Sequence, residues 1–242
     1  MPLPAAARGR DRLILALDTP LPATALAWCR QFQHEVGLVK IGLELFVAAG
    51  PEIVRQVRQF GLGVFLDLKF HDIPNTMAGA VRAAAALDVQ MLNVHAAAGP
   101  AALRAAAAAC RETGAAAPIL LGVTVLTSLD ETSLSGLGIA GPVTTRVVAW
   151  AEQCQAAGLG GVVASPQEAA LIRRACGADF KIVTPGIRPA TGDRQDQRRV
   201  LSAGDAVRSG ADYLVVGRAI TAAADPAAAA RALAAEVDAA HA

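Results

Sequence analysis

Short apolar runs recur along this chain, and each gives way to a longer stretch whose apolar positions return with helical spacing. The runs are Leu13 to Leu17, Val36 to Ile41, Leu62 to Leu66, Val89 to Val94, Ile119 to Val125, Gly160 to Ala164, Phe180 to Val183 and Tyr213 to Val216. Between them, the pattern predicts a helix led in by Pro20 and Pro22 and reaching Phe32, and a helix-like segment running on to Phe60. Further helices are expected from Pro74 to about Leu87, up to Gly114, from about Thr144, from Ser165-Pro166, and after Pro226. Ser128 to Gly141 reads as a loop, longer than most connections in compact domains. About eight strand–helix units in succession call for an α/β fold whose parallel sheet closes into a (β/α)8 TIM barrel, with an open doubly wound sheet as the alternative.

The placement of unusual residues favours the barrel. Asp18, Lys40, Asp67 with Lys69, Thr127, Arg188 and Gly217-Arg218 all fall at or just after the C-terminal end of a run. In a barrel those ends form one rim, the rim that carries active sites in this fold. The densest group is Asp67-Leu68-Lys69-Phe70-His71-Asp72. Strand alternation puts Asp67 and Lys69 on one face, with Leu66 and Leu68 on the other, facing a helix layer. By itself such a pair also fits a salt bridge at a strand end. Gly217-Arg218 and Gly186-Ile187-Arg188 suit a phosphate: glycine admits the anion close to main-chain N–H groups, and arginine offers a fork of donors.

The 242 residues, 54% hydrophobic and 18% charged, suffice for one large core, so residues 11–242 are expected to form a single catalytic barrel behind a loose tail, residues 1–10. That tail lacks the apolar centre of a secretory signal, and no apolar run approaches a membrane span. The formal net charge of +1 offers no basic field for nucleic acid. Cys29, Cys110, Cys154 and Cys176 show no metal or redox spacing and read as buried thiols in a reducing compartment, so a soluble, cytoplasmic protein is expected. His71 and His95 stand near the rim without a third metal ligand and read as hydrogen-bonding structural residues. Glu44 reads as a helix N-terminal carboxylate, favoured by the helix dipole, in preference to a magnesium ligand.

Val64-Phe65-Leu66-Asp67-Leu68-Lys69-Phe70-His71-Asp72-Ile73-Pro74-Asn75-Thr76 resembles the Asp-x-Lys-x-x-Asp motif of the orotidine 5'-monophosphate decarboxylase family. Leu15-Ala16-Leu17-Asp18, Lys40-Ile41-Gly42-Leu43-Glu44-Leu45-Phe46, Thr184-Pro185-Gly186-Ile187-Arg188, Asp196-Gln197-Arg198-Arg199 and Val215-Val216-Gly217-Arg218 agree in family order, over nearly the whole chain. The resemblance implies conversion of orotidine 5'-phosphate to uridine 5'-phosphate (UMP) and carbon dioxide, the last step of pyrimidine synthesis, with no metal and no organic cofactor. The carbanion left at C6 lies in the ring plane and cannot delocalise, so electrostatics must supply a barrier reduction approaching the ~23 kcal/mol seen in ordinary enzymes.

By the same resemblance, Lys69 stabilises and protonates that carbanion, and Asp67 lies near the departing carboxylate, whose repulsion is relieved as it becomes carbon dioxide. Asp72 and Thr76 reach the neighbouring subunit's site, so Lys40, Asp67, Lys69 and a partner's Asp72 alternate in charge and a homodimer is required. Asp18 and Lys40 contact the ribose hydroxyls, and Thr127 and Gln197 the pyrimidine or its neighbourhood. Arg188, Gly217 and Arg218 hold the phosphate, and Ile73 and Pro185 complete the substrate-binding set. No nucleic acid or membrane partner is implied. Magnesium-dependent sugar-phosphate decarboxylases and aldolases share the motif and stand as the alternative, although the Lys40 to Phe46 and Gln197 to Arg199 stretches fit the orotidylate branch.

Overall fold

Eight short strands, each with an apolar inner or outer face, can leave no edge unpaired only by closing on themselves. In the computed structural model, which describes residues 8–187 and 201–241, they do so. Strands β1 (Leu13–Ala16), β2 (Leu38–Gly42), β3 (Gly63–Phe70), β4 (Met91–His95), β5 (Ile119–Val123), β6 (Gly161–Val163), β7 (Lys181–Thr184) and β8 (Tyr213–Val216) form a closed parallel barrel in sequence order. Helices α1 (Pro22–Phe32), α2 (Leu43–Ala49), α3 (Glu52–Arg58), α4 (Pro74–Ala85), α5 (Gly99–Arg111), α6 (Glu131–Gly136), α7 (Val143–Ala156), α8 (Ala169–Cys176), α9 (Ala203–Arg208), α10 (Arg218–Thr221) and α11 (Pro226–His241) lie between and after them. None of these helices is long and apolar enough to cross a membrane.

Alternation along the strands divides the core in two. Ile14, Ala16, Leu38, Phe65, Met91, Leu121, Val183, Tyr213 and Val215 pack together inside the barrel. Leu15, Val39, Ile41, Val64, Leu66 and Leu92 face outward against the helices. On β2 the inward parity of Leu38 continues to Lys40, and on β3 that of Phe65 continues to Asp67, so the apolar floor becomes charged towards the C-terminal rim.

Three expectations are corrected by local chemistry. The segment ending at Phe60 is two helices, because Gly50 turns the chain at φ 68° and Pro51 follows without an N–H to continue the first ladder. The stretch from Ser128 to Gly141 contains α6, capped by Asp130, whose carboxylate accepts the Ser133 N–H at 2.9 Å. Gly9 and Arg10, expected within the tail, belong to a short 3-10 helix (Gly9–Arg12): Gly9 is buried, its N–H donates to Asp238 of α11 at 2.6 Å, and any Cβ there would overlap the Ala234 carbonyl.

Candidate active site

The rim charges form a chain. Lys40 donates from Nζ to Asp18 Oδ1 at 3.0 Å and lies 3.5 Å from Asp67 Oδ2, while Lys69 Nζ donates to Asp67 Oδ1 at 2.7 Å. Anion and cation therefore alternate from Asp18 through Lys40 and Asp67 to Lys69. Lys40 and Asp67 sit deepest, with side chains only 12% and 11% exposed, whereas the Asp18 side chain is 64% exposed. Burial alone would lower the pKa of Lys40, but the carboxylates of Asp67 and Asp18 more than offset this and hold it above the ordinary lysine value.

Lys69 owes its position to a break in β3. Leu66 pairs with Leu92 and Phe70 with Val94, so β3 takes four steps where β4 takes two. The extra residues bulge, and Lys69 adopts φ 52°, a left-handed conformation uncommon for a side-chain-bearing residue. Its displaced N–H donates to Asn93 Oδ1 at 2.8 Å, and Asn93 Nδ2 donates to Asp67 Oδ1 at 2.7 Å.

Two cavities of about 180 and 320 Å³ meet at this chain, sharing Lys40, Pro185 and Val215. The first is lined by Phe65, Val123, Val163 and Val215 together with Asp67, Lys69 and Thr127. The second runs past Asp18 to Gly186, Gly217 and Arg218, the position of phosphate sites in this fold. An apolar slot joined to a polar one suits a flat ring carrying an anionic tail.

These residues carry a family pattern along the full barrel. The sequence profile of the Orotidine 5'-phosphate decarboxylase / HUMPS family matches residues 11–233. The chain belongs to this family. Orotidine 5'-phosphate decarboxylase of Moorella thermoacetica is 56% identical over 214 residues, covering 86% of this chain and 85% of that protein. The enzyme of the same name from Syntrophotalea carbinolica is 51% identical over 213 residues, covering 86% and 87%. The crystal structure of orotidine 5'-phosphate decarboxylase from Lactobacillus acidophilus matches the fold with a TM-score of 0.83 at 33% identity, over 94% of this chain and 99% of that one.

Within this member of the orotidine 5'-phosphate decarboxylase / HUMPS family, Asp18, Lys40, Asp67, Lys69, Thr127, Pro185, Gly217 and Arg218 line the joined cavities. Asp72, Ile73 and Thr76 do not line them: they sit exposed on the turn after β3 and the first turn of α4, with Ile73 67% exposed. Asp72 Oδ1 accepts the Ile73 N–H at 2.6 Å. Arg188 and Gln197 lie outside the described residues. Asn93 escaped the sequence reading, and so did Trp28 and Thr221, which line the second cavity beside Arg218. The signal for Asn93 was its parity: it follows the inward-facing Met91 by two, a polar side chain between Leu92 and Val94. Glu44 falls in the first turn of α2. Among the described residues, no three His, Cys, Asp or Glu side chains come together as a metal site. The cysteines are free and buried, and burial pushes the Cys29 and Cys154 thiols up to about 12.

Proposed function

We propose that this chain decarboxylates orotidine 5'-phosphate to UMP and carbon dioxide, without a metal or organic cofactor, as a homodimer with two composite sites in the cytoplasm. The observation that carries the reading is the alternating Asp18–Lys40–Asp67–Lys69 chain set where the apolar slot meets the phosphate-suited one. Its relatives from Moorella thermoacetica and Syntrophotalea carbinolica bear that activity in their names.

The reaction follows from the electrostatics. With the pyrimidine in the apolar slot, the C6 carboxylate lies against Asp67, and two anions at close range raise the ground state. The C6–carboxyl bond breaks, its electron pair stays in the in-plane orbital at C6, and the carboxylate leaves as neutral carbon dioxide, which removes the repulsion. The Lys69 ammonium stabilises the pair as it forms and then transfers a proton to C6; solvent returns the proton to the amine. Asp18 and Lys40 hold the ribose hydroxyls, while Gly217 and Arg218, with Arg188, hold the phosphate. Binding energy collected at that remote group is realised in the transition state.

The shared-site part of the reading rests on where Asp72 and Thr76 lie, exposed and away from their own cavity. Ile73 between them is exposed, as are Leu43 and Val47 of α2, apolar surface that a second subunit would cover.

Loss of orotidine 5'-phosphate followed by ultraviolet absorbance tests the proposal. The expected result is turnover that persists in excess EDTA and drops to background in Lys69→Ala, which still folds and still binds UMP. No turnover by the unmodified protein, or complete loss on chelation, overturns it.

A further inference from the structure

His71 and His95 stack face to face, ring centroids 5.3 Å apart and planes 19° from parallel. His71 belongs to the exposed turn that carries Asp72, whereas His95 ends β4 and is half-buried. Behind His95 stands Trp150 of α7, edge-on at 6.2 Å, and the Arg146 guanidinium lies 5.9 Å from the far ring. The turn is thus braced through one imidazole onto a rigid wall. Within the turn Asp72 bonds the next N–H, and the ring stack extends the Phe70–Val94 pairing by a side-chain tie to β4.

The brace depends on the protonation state of His95. His95 Nδ1 accepts the Ala97 N–H at 3.2 Å, which needs an unprotonated Nδ1. The titratable and charged groups acting on it are the Lys69 ammonium at the end of β3 and His71 on the turn, with Arg146 of α7 beyond the Trp150 ring; on β5 its strand partner is Val123. Burial, His71 and Lys69 together lower the His95 pKa from its ordinary value. Protonation breaks the Nδ1 bond and sets a cation beside a second imidazole and an ammonium.

We propose that the His71–His95 stack is a positioning clamp that sets the Asp72 turn while the His95 ring is neutral and releases it when that ring is protonated, imposing an acid limb on the rate. The proposal rests on the reading that Asp72 acts in the neighbouring subunit's site.

Two measurements on the full-length dimer test it. The first is an NMR titration of the histidine rings, which number four in the chain and need no activity. His95 is expected to titrate below the ordinary 6.5 and to shift when His71→Phe removes its neighbour; an unshifted or raised value overturns the clamp whether or not the protein decarboxylates. The second is kcat/KM against pH. His71→Ala should cost about tenfold at neutral pH, and about nothing further when added to Asp72→Ala, because both act through one group. His71→Phe combined with His95→Phe, which keeps stacked rings that cannot titrate, should recover most of that loss and lose the acid limb. A His71→Ala effect that multiplies with Asp72→Ala, or an acid limb unchanged in the double phenylalanine variant, overturns the clamp.

Discussion

The side-chain carbonyl of Asn93 accepts the main-chain N–H of Lys69 at 2.8 Å, at the place where the β3–β4 ladder is interrupted. The bulge would otherwise leave that donor without a strand partner. Because the Asn93 amide also donates to Asp67, one buried side chain fixes both the strained lysine backbone and the carboxylate its ammonium touches. Asp67 then has donors on each oxygen, Lys69 and Asn93 on one and Lys40 on the other.

Asn93→Ala should therefore act on catalysis more than on fold. Loss of two bonds, one buried and one part-buried, is expected to cost about 1–3 kcal/mol, measured by urea unfolding. Freed movement of Lys69 should lower kcat by about 10–100-fold while UMP affinity, set at the far cavity, changes little. An unchanged kcat would mean that Lys69 is positioned without Asn93.

Lys40 gives a pH-dependent prediction. Its pKa is lowered by burial but raised more by Asp67 and Asp18, so the native state binds this proton more tightly than the unfolded chain. The stability it contributes is complete below the unfolded value of 10.5 and is lost as pH rises through the higher native value. In urea at pH 8, Lys40→Met should be less stable by about 2 kcal/mol, and the gap should narrow at alkaline pH above 10.5. A gap that stays constant would show that the carboxylates do not hold the proton.

The barrel was legible because its two signals are periodic and repeated: β8 was read at its observed bounds, and the inward parity of Lys40 and Asp67 follows from counting by twos. Where the reading failed, a local event outran the period. Strand β3 runs on to Phe70 because the bulge admits two extra residues, and no apolar pattern announces a bulge. Gly50-Pro51 did announce a break, and the apolar spacing on either side concealed it. The histidines were expected to serve by hydrogen bonds; His95 does so through Nδ1, but His71 engages by its ring face, a contact between residues far apart in sequence.

Close packing between strands makes Gly161 a sensitive test of the frame. A Cβ there would overlap the Lys181 carbonyl of β7 and approach Leu121 Cδ2 of β5 to 2.9 Å, and main-chain atoms on a closed barrel have nowhere to move. Gly161→Ala should cost about 3 kcal/mol by thermal or urea unfolding. Gly136→Ala, with open space around it, should change stability by less than about 1 kcal/mol. Equal effects at the two positions would contradict the register of β6.

The division of labour within the motif is open to a direct test by mixing. Lys69→Ala and Asp72→Ala should each be nearly inactive alone, since each removes one charge from every site. In a hybrid dimer the Asp72→Ala subunit keeps its own Lys69 and borrows Asp72 from its partner, so that site is whole, while the other lacks both. Random reassociation makes half the dimers hybrid with one good site in two, and recovered activity should approach about a quarter of wild type. Asp72 lies on the surface and does not line the cavity that its own Lys69 lines. Heterodimers proven by mass that recover nothing would return Asp72 to a local role, capping Ile73 at the start of α4.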